Sequence, residues 1–76
     1  MALHSGTKFT EREKLVLGLL ALGVSDREIA RYLGVSNKTV SSFKTSAMNK
    51  IGIRKNANLM KWLRTPEAKT EIVGSS

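Results

Sequence analysis

Residues 25–40 limit what this chain can fold into more than any other stretch. They read SDREIARYLGVSNKTV. Ala30, Gly34 and Val40 are spaced four and then six residues apart, and Ile29, Leu33, Val35, Val40 and Phe43 supply the apolar positions around them. This spacing predicts two short capped helices that meet at an angle, a helix-turn-helix. Ala30 must be small because the second helix crosses close over it. Gly34 ends the first helix at a positive φ that most side chains resist. Val40 closes the wedge between the two helices.

The flanking sequence reads as further helix. Residues 1–9 are expected to be a flexible leader. Thr10 and Glu13 form a capping box, in which the hydroxyl takes one orphan amide and the carboxylate another. Leu15, Val16, Leu19, Leu20 and Leu22 follow at helical spacing, and Gly23 ends that helix. Ser25 and Glu28 make a second capping box, opening a helix that reaches Leu33 with Ile29, Ala30 and Leu33 inward. Ser36 caps a third helix running to Ile51, with Val40, Phe43, Ala47, Met48 and Ile51 as its core stripe. The other face of that helix carries Asn37, Lys38, Ser41, Ser42, Thr45 and Asn49. It is small and polar, which suits close approach to a surface.

Gly52 ends the third helix. Asn56 is expected to cap a fourth over residues 57–64, with Leu59, Met60 and Leu63 inward and Pro66 stopping it. Residues 65–76 carry few large apolar side chains and are expected to be a flexible tail. No strand pattern or internal repeat is read. The expected fold is all-α, a compact four-helix bundle containing a helix-turn-helix, with one domain over residues 10–64.

Composition narrows the function classes. A chain of 76 residues buries one modest core, which leaves little room for a catalytic cleft with a lid. With no cysteine, disulfides and thiolate zinc sites are excluded, and a reducing cytoplasm is compatible. His4 has no Asp, Glu or Cys neighbour, so neither a metal site nor a catalytic one is expected. No nucleophile–base set or phosphate-cradling glycine loop is present, and no cofactor is expected. No apolar run spans a bilayer, and residues 1–10 are not a signal peptide. The net charge of +7 favours a polyanionic partner. Its distribution says more: residues 29–66 hold eight Lys or Arg and no Asp or Glu. An ordinary solvated surface mixes the two signs.

Three blocks, FTEREKLVLGLLALG, SDREIARYLGVSNKTV and KIGIRKNANLMKWL, give residues 9–63 a resemblance to the LuxR/NarL-type (GerE-like) helix-turn-helix domain. Within that family, KTVSSFKTSAMNKIGI resembles the recognition helix of RcsB-like response regulators. The resemblance implies a cytoplasmic effector domain of a bacterial transcription regulator that binds double-stranded DNA as a dimer. Helix three would be the recognition helix, helix two would lie across the DNA backbone, and helix four would supply the dimer contact through Ala57, Asn58, Lys61 and Trp62. Two departures stand out. Phe43 replaces the His or Gln common in relatives. Lys61 replaces an aliphatic residue on the dimer helix, so a weak homodimer or heterodimer that forms on DNA is expected.

On that reading Lys38, Lys44 and Lys50 are expected at phosphates, where basic side chains dominate. Thr39 and the free amides at the start of helix three suit a phosphate as well. Ser41, Ser42 and Thr45 are the candidates for base edges, since small hydroxyls both donate and accept, with Asn37 beside them. Phe43 belongs to the core stripe, and Trp62 serves either the core or a dimer contact. Each polar residue has a plainer reading as solvated surface.

The alternative function is a protein-interaction module contacting RNA polymerase or another regulator, which has no need of an acid-free basic band. A single-stranded RNA reading lacks an exposed aromatic platform. A membrane reading lacks a basic helix face opposite a bulky apolar one.

Overall fold

Side-chain caps open the first three helices where the sequence predicts them. The computed structural model describes residues 9–72; residues 1–8, with His4, and residues 73–76 lie outside them. Helix α1 (Glu11–Ala21) starts at Thr10, whose hydroxyl accepts from the Glu13 amide at 3.1 Å while Glu13 Oε1 accepts from the Thr10 amide at 2.9 Å. Ser25 accepts from the Glu28 amide at 3.2 Å to open α2 (Asp26–Leu33). Ser36 accepts from the Thr39 amide at 3.1 Å to open α3 (Asn37–Ile51). Helix α4 (Asn56–Leu63) differs: Lys55 is its N-cap, and no side chain bonds there. Asn56 is therefore the first helical residue and not the cap, because the chain turns into the helix one residue early.

The turn between α2 and α3 is set by Gly34 at φ 72°. Its amide bonds to the Arg31 carbonyl at 3.3 Å and the Val35 amide reaches back to Ala30 at 3.0 Å. This double bond closes the open carbonyls of the helix end. A Cβ at Gly34 would meet nothing within 4 Å, so the requirement is one of backbone conformation and not of space. The Leu-Gly-Val, Leu-Gly-Val and Ile-Gly-Ile runs at 22–24, 33–35 and 51–53 repeat the same bond pattern. In each the aliphatic residue after glycine packs against the core.

Helix α1 touches the other four helices, and α2 lies against α3. Val16, Leu17, Ile29, Val40, Ala47 and Leu59 are wholly shielded from solvent at 0 % exposure. Ala30 is buried under α3 as the motif requires, and Phe43 is half-buried against the core. Leu19 and Leu33 are half-buried.

The inner stripe of α1 is Glu13, Val16, Leu17 and Leu20. Leu17 joins it, whereas Leu22, placed on the apolar stripe from the sequence, is 80 % exposed. The run from Leu15 to Leu22 is apolar nearly all round, so its periodicity has no unique phase and the neighbouring helices decide it. Met60, expected inward, is exposed.

A fifth helix, α5 (Pro66–Ile72), follows where a flexible tail was expected. Pro66 does not simply stop α4. It begins α5, since a proline at the first helical position loses no bond that a helix start would make. Thr65 Oγ1 donates to the Trp62 carbonyl at 2.7 Å and accepts from the Ala68 amide at 3.2 Å, joining the end of α4 to the start of α5. Ala68 is buried, and α5 packs on α1 and α4. Phe9, expected in the leader, belongs to the packed domain instead: it is buried, its ring edge-on to Trp62 with centroids 6.1 Å apart. All described elements are helical.

Candidate nucleic-acid interface

On α3 the residues 38, 42, 45 and 49 fall at i, i+4, i+7 and i+11, opposite the buried Val40 and Ala47. The structure brings Lys38, Ser41, Ser42, Thr45, Ser46 and Asn49 together along one shallow open trough. Four of these are sequence-predicted site residues. Ser46 was missed, because it flanks the stripe rather than lying on it; it is half-buried and hydrogen-bonds to Glu13 on α1. Asn37 is exposed in the first turn.

The start of α3 is electropositive. Helices α1 and α2 carry acids in their first turns, whereas α3 carries none and has Lys38 there. Ser36 satisfies the Thr39 amide, which leaves the Asn37 and Lys38 amides of the first turn without an intrahelical acceptor. The Thr39 hydroxyl lies 3.0 Å from the Ser36 hydroxyl, so it is part of the cap.

The remaining lysines point elsewhere. Lys44 turns toward α2, where its ammonium donates to Asp26 Oδ2 at 3.0 Å, with side chains 16 % and 39 % exposed. Lys50 turns toward α1 and donates to Glu13 Oε1 at 2.6 Å. Glu13 is only 3 % exposed. Burial alone raises its pKa, but hydrogen bonds from Lys50, Ser46 and the Thr10 amide, with the Lys50 charge, outweigh that and hold it below the ordinary carboxylate value. Glu13 thus closes the α1 cap and fastens α1 to the far end of α3. No buried side-chain polar atom among the described residues lacks a partner.

On α4, Ala57, Lys61 and Arg64 share the side opposite Leu59 and Leu63, with exposed Asn58 next to them. Trp62 lies off that side, half-buried against Phe9. No group of His, Asp or Glu able to hold a metal ion is found among the described residues. No described helix is long and apolar enough to cross a membrane.

Residues 7–63 match the family described as bacterial regulatory proteins, luxR family. The chain belongs to the LuxR family. The family's domain is a DNA-binding helix-turn-helix of transcription regulators and is not typically enzymatic. Relatives include the uncharacterized protein YjjQ of Escherichia coli O157:H7, 38 % identical over 83 % of this chain. The Fimbriae Z protein of Salmonella typhimurium is 36 % identical over 84 %. The transcriptional regulatory protein YdfI of Bacillus subtilis is 48 % identical over 60 %. The alignments cover only 26 %, 30 % and 22 % of those three proteins, so this LuxR-family chain spans about a quarter of their length. No solved structure gives a significant match.

Proposed function

We propose that this LuxR-family domain recognises specific duplex DNA sequences in the bacterial cytoplasm by laying α3 in the major groove, and so regulates transcription. The trough along α3 carries this reading: a row of small hydroxyl and amide side chains with a lysine at its electropositive end. Lys38 and the first-turn amides meet phosphate, while Ser41, Ser42, Thr45 and Asn49 face base edges. No arginine lies on this face, so direct readout is modest, and DNA shape and bridging water add to it. Within the family we place the recognition helix nearest the RcsB-like response regulators, on the run from Lys38 to Ile53. Two domains bind neighbouring half-sites, with α4 at the two-fold axis.

Lys44 and Lys50 take different parts in this reading. Lys50 is structural through Glu13. Lys44 reaches a phosphate only by exchanging Asp26 for it.

The test begins with selection of a binding duplex from random sequences, followed by fluorescence anisotropy across a salt series. Lys38→Ala weakens selected and random duplexes alike and flattens the log K against log [salt] slope by roughly one. Lys44→Ala flattens it less, because Asp26 already neutralises that charge. Thr45→Ala reorders affinities among site variants by about 1–3 kcal/mol at the affected position. An unchanged slope with Lys38→Ala together with an unchanged rank order with Thr45→Ala would remove α3 as the reading element.

A further inference from the structure

Helix α1 has two apolar sides; one is buried in the core, and the other is only partly covered, with Leu19 and Ile72 packed against the core and Leu15 and Leu22 exposed. Glu13, Val16, Leu17 and Leu20 form the buried stripe. Leu15, Gly18, Leu19 and Leu22 repeat the same i, i+3, i+4, i+7 spacing on the opposite side of the helix. With Leu63 and Ile72 they line a groove of about 410 Å³. Leu22 at its end is 80 % exposed and Leu15 is 38 % exposed. Both charged residues lining it are lysines, Lys14 on α1 and Lys69 on α5. The face lies across α1 from the side that carries Glu13 and its bond to α3.

We propose that this groove docks an amphipathic helix whose apolar stripe is bordered by carboxylates. The spacing of the four α1 positions is the one that a packed helix covers. Gly18 in the middle has no side chain, and the floor there is set by Ile72, whose Cγ2 would lie 3.8 Å from a Cβ at that position. Ile72 thus fills the space at Gly18, and a partner's larger apolar side chains settle beside it, against Leu15 and Leu22. Lys69 sets the sign of the partner's rim. A second copy of this chain is the wrong partner on the same ground, since its net charge is +7. Exposed apolar area of this kind on a small soluble domain marks an interaction surface.

The probe is a fluorescein-labelled synthetic helix of about 18 residues, with Leu at i, i+3, i+4 and i+7 and Glu on both flanks. A control peptide has Lys in place of each Glu. Anisotropy titration should give binding in roughly the micromolar range for the acidic peptide. Leu22→Glu should weaken it by at least about tenfold, by placing a charge against the apolar stripe. Its thermal melt should match the parent, as an 80 % exposed position allows. Lys69→Glu should weaken the acidic peptide. Amide shifts in a heteronuclear NMR titration should cluster at residues 14–22 and 63–72 and spare residues 37–49. The proposal fails if neither peptide binds or if both bind equally. It also fails if Leu22→Glu binds as tightly as the parent or if the shifts gather on α3. A Leu22-dependent dimer in sedimentation without peptide would give the groove to a second copy and likewise overturn it.

Discussion

At the scale of single residues, charge in this domain divides by where each side chain can reach. Lys38 stands alone in the first turn of α3, while Lys50 is held by Glu13 and Lys44 by Asp26. Sequence spacing put all three lysines on one helix but could not show which way two of them lean. That depended on acids at residues 13 and 26, far away in the chain. Glu13→Gln removes the charge that Lys50 and the α1 cap share, and should lower stability at neutral pH by about 1–3 kcal/mol. The pH dependence has a definite sign. The folded pKa of Glu13 is lowered, so its contribution is present above the unfolded carboxylate range and is lost as pH falls through the lower folded value. Urea unfolding at neutral and acid pH should show the parent losing more stability on acidification than Glu13→Gln. Equal losses in both would mean that the ion pair contributes nothing.

At the scale of helices, readability followed how local the signal was. The caps at Thr10, Ser25 and Ser36 and the turn at Gly34 are decided within a few residues and stand where the sequence places them, although Ser25 and Glu28 form only half of the expected capping box, the bond from the Glu28 amide to the Ser25 hydroxyl. The phase of α1 was not local, since Leu17 and Leu22 differ only in which helices lie beside them. Helix α5 had a local signal that was read the wrong way: Thr-Pro-Glu-Ala is a capping residue followed by a first-turn proline and an acid. The polar row on α3 was readable from its period, whereas Ser46 was not. Because α5 buries Ala68 and half-buries Ile72 against α1 and α4, ending the chain at Thr65 should cost about 2–3 kcal/mol. Thermal denaturation should then show a lower midpoint, with binding to a selected duplex kept at low temperature. An unchanged midpoint would make α5 an ornament on the surface.

At the scale of the whole molecule, assembly is the open variable. Ala57, Lys61 and Arg64 give α4 a small, positively charged outer side, and a standard stable interface needs about 800 Å² per partner. The free domain should therefore sediment as a monomer. On a duplex with two half-sites about 34–36 Å apart, the second domain gains from its neighbour's effective concentration. Lys61→Leu should strengthen that pairing by removing a like-charge contact at the axis, and Lys61→Glu should not. Sedimentation with and without the duplex measures it; a tight dimer without DNA, or binding indifferent to half-site spacing, would count against the α4 contact.

The three glycine reversals have a kinetic consequence. Each change of chain direction is closed by bonds spanning no more than five residues, as in the pairings of Val24 with Leu19, Val35 with Ala30 and Ile53 with Met48. Reversals closed this way lose little loop entropy. Refolding from denaturant should accordingly finish within about milliseconds, as in other helical domains with mostly local contacts. A domain that reassembles so quickly spends little time with the open face of α1 and the buried stripe exposed together, which is when apolar helices stick to the wrong partner.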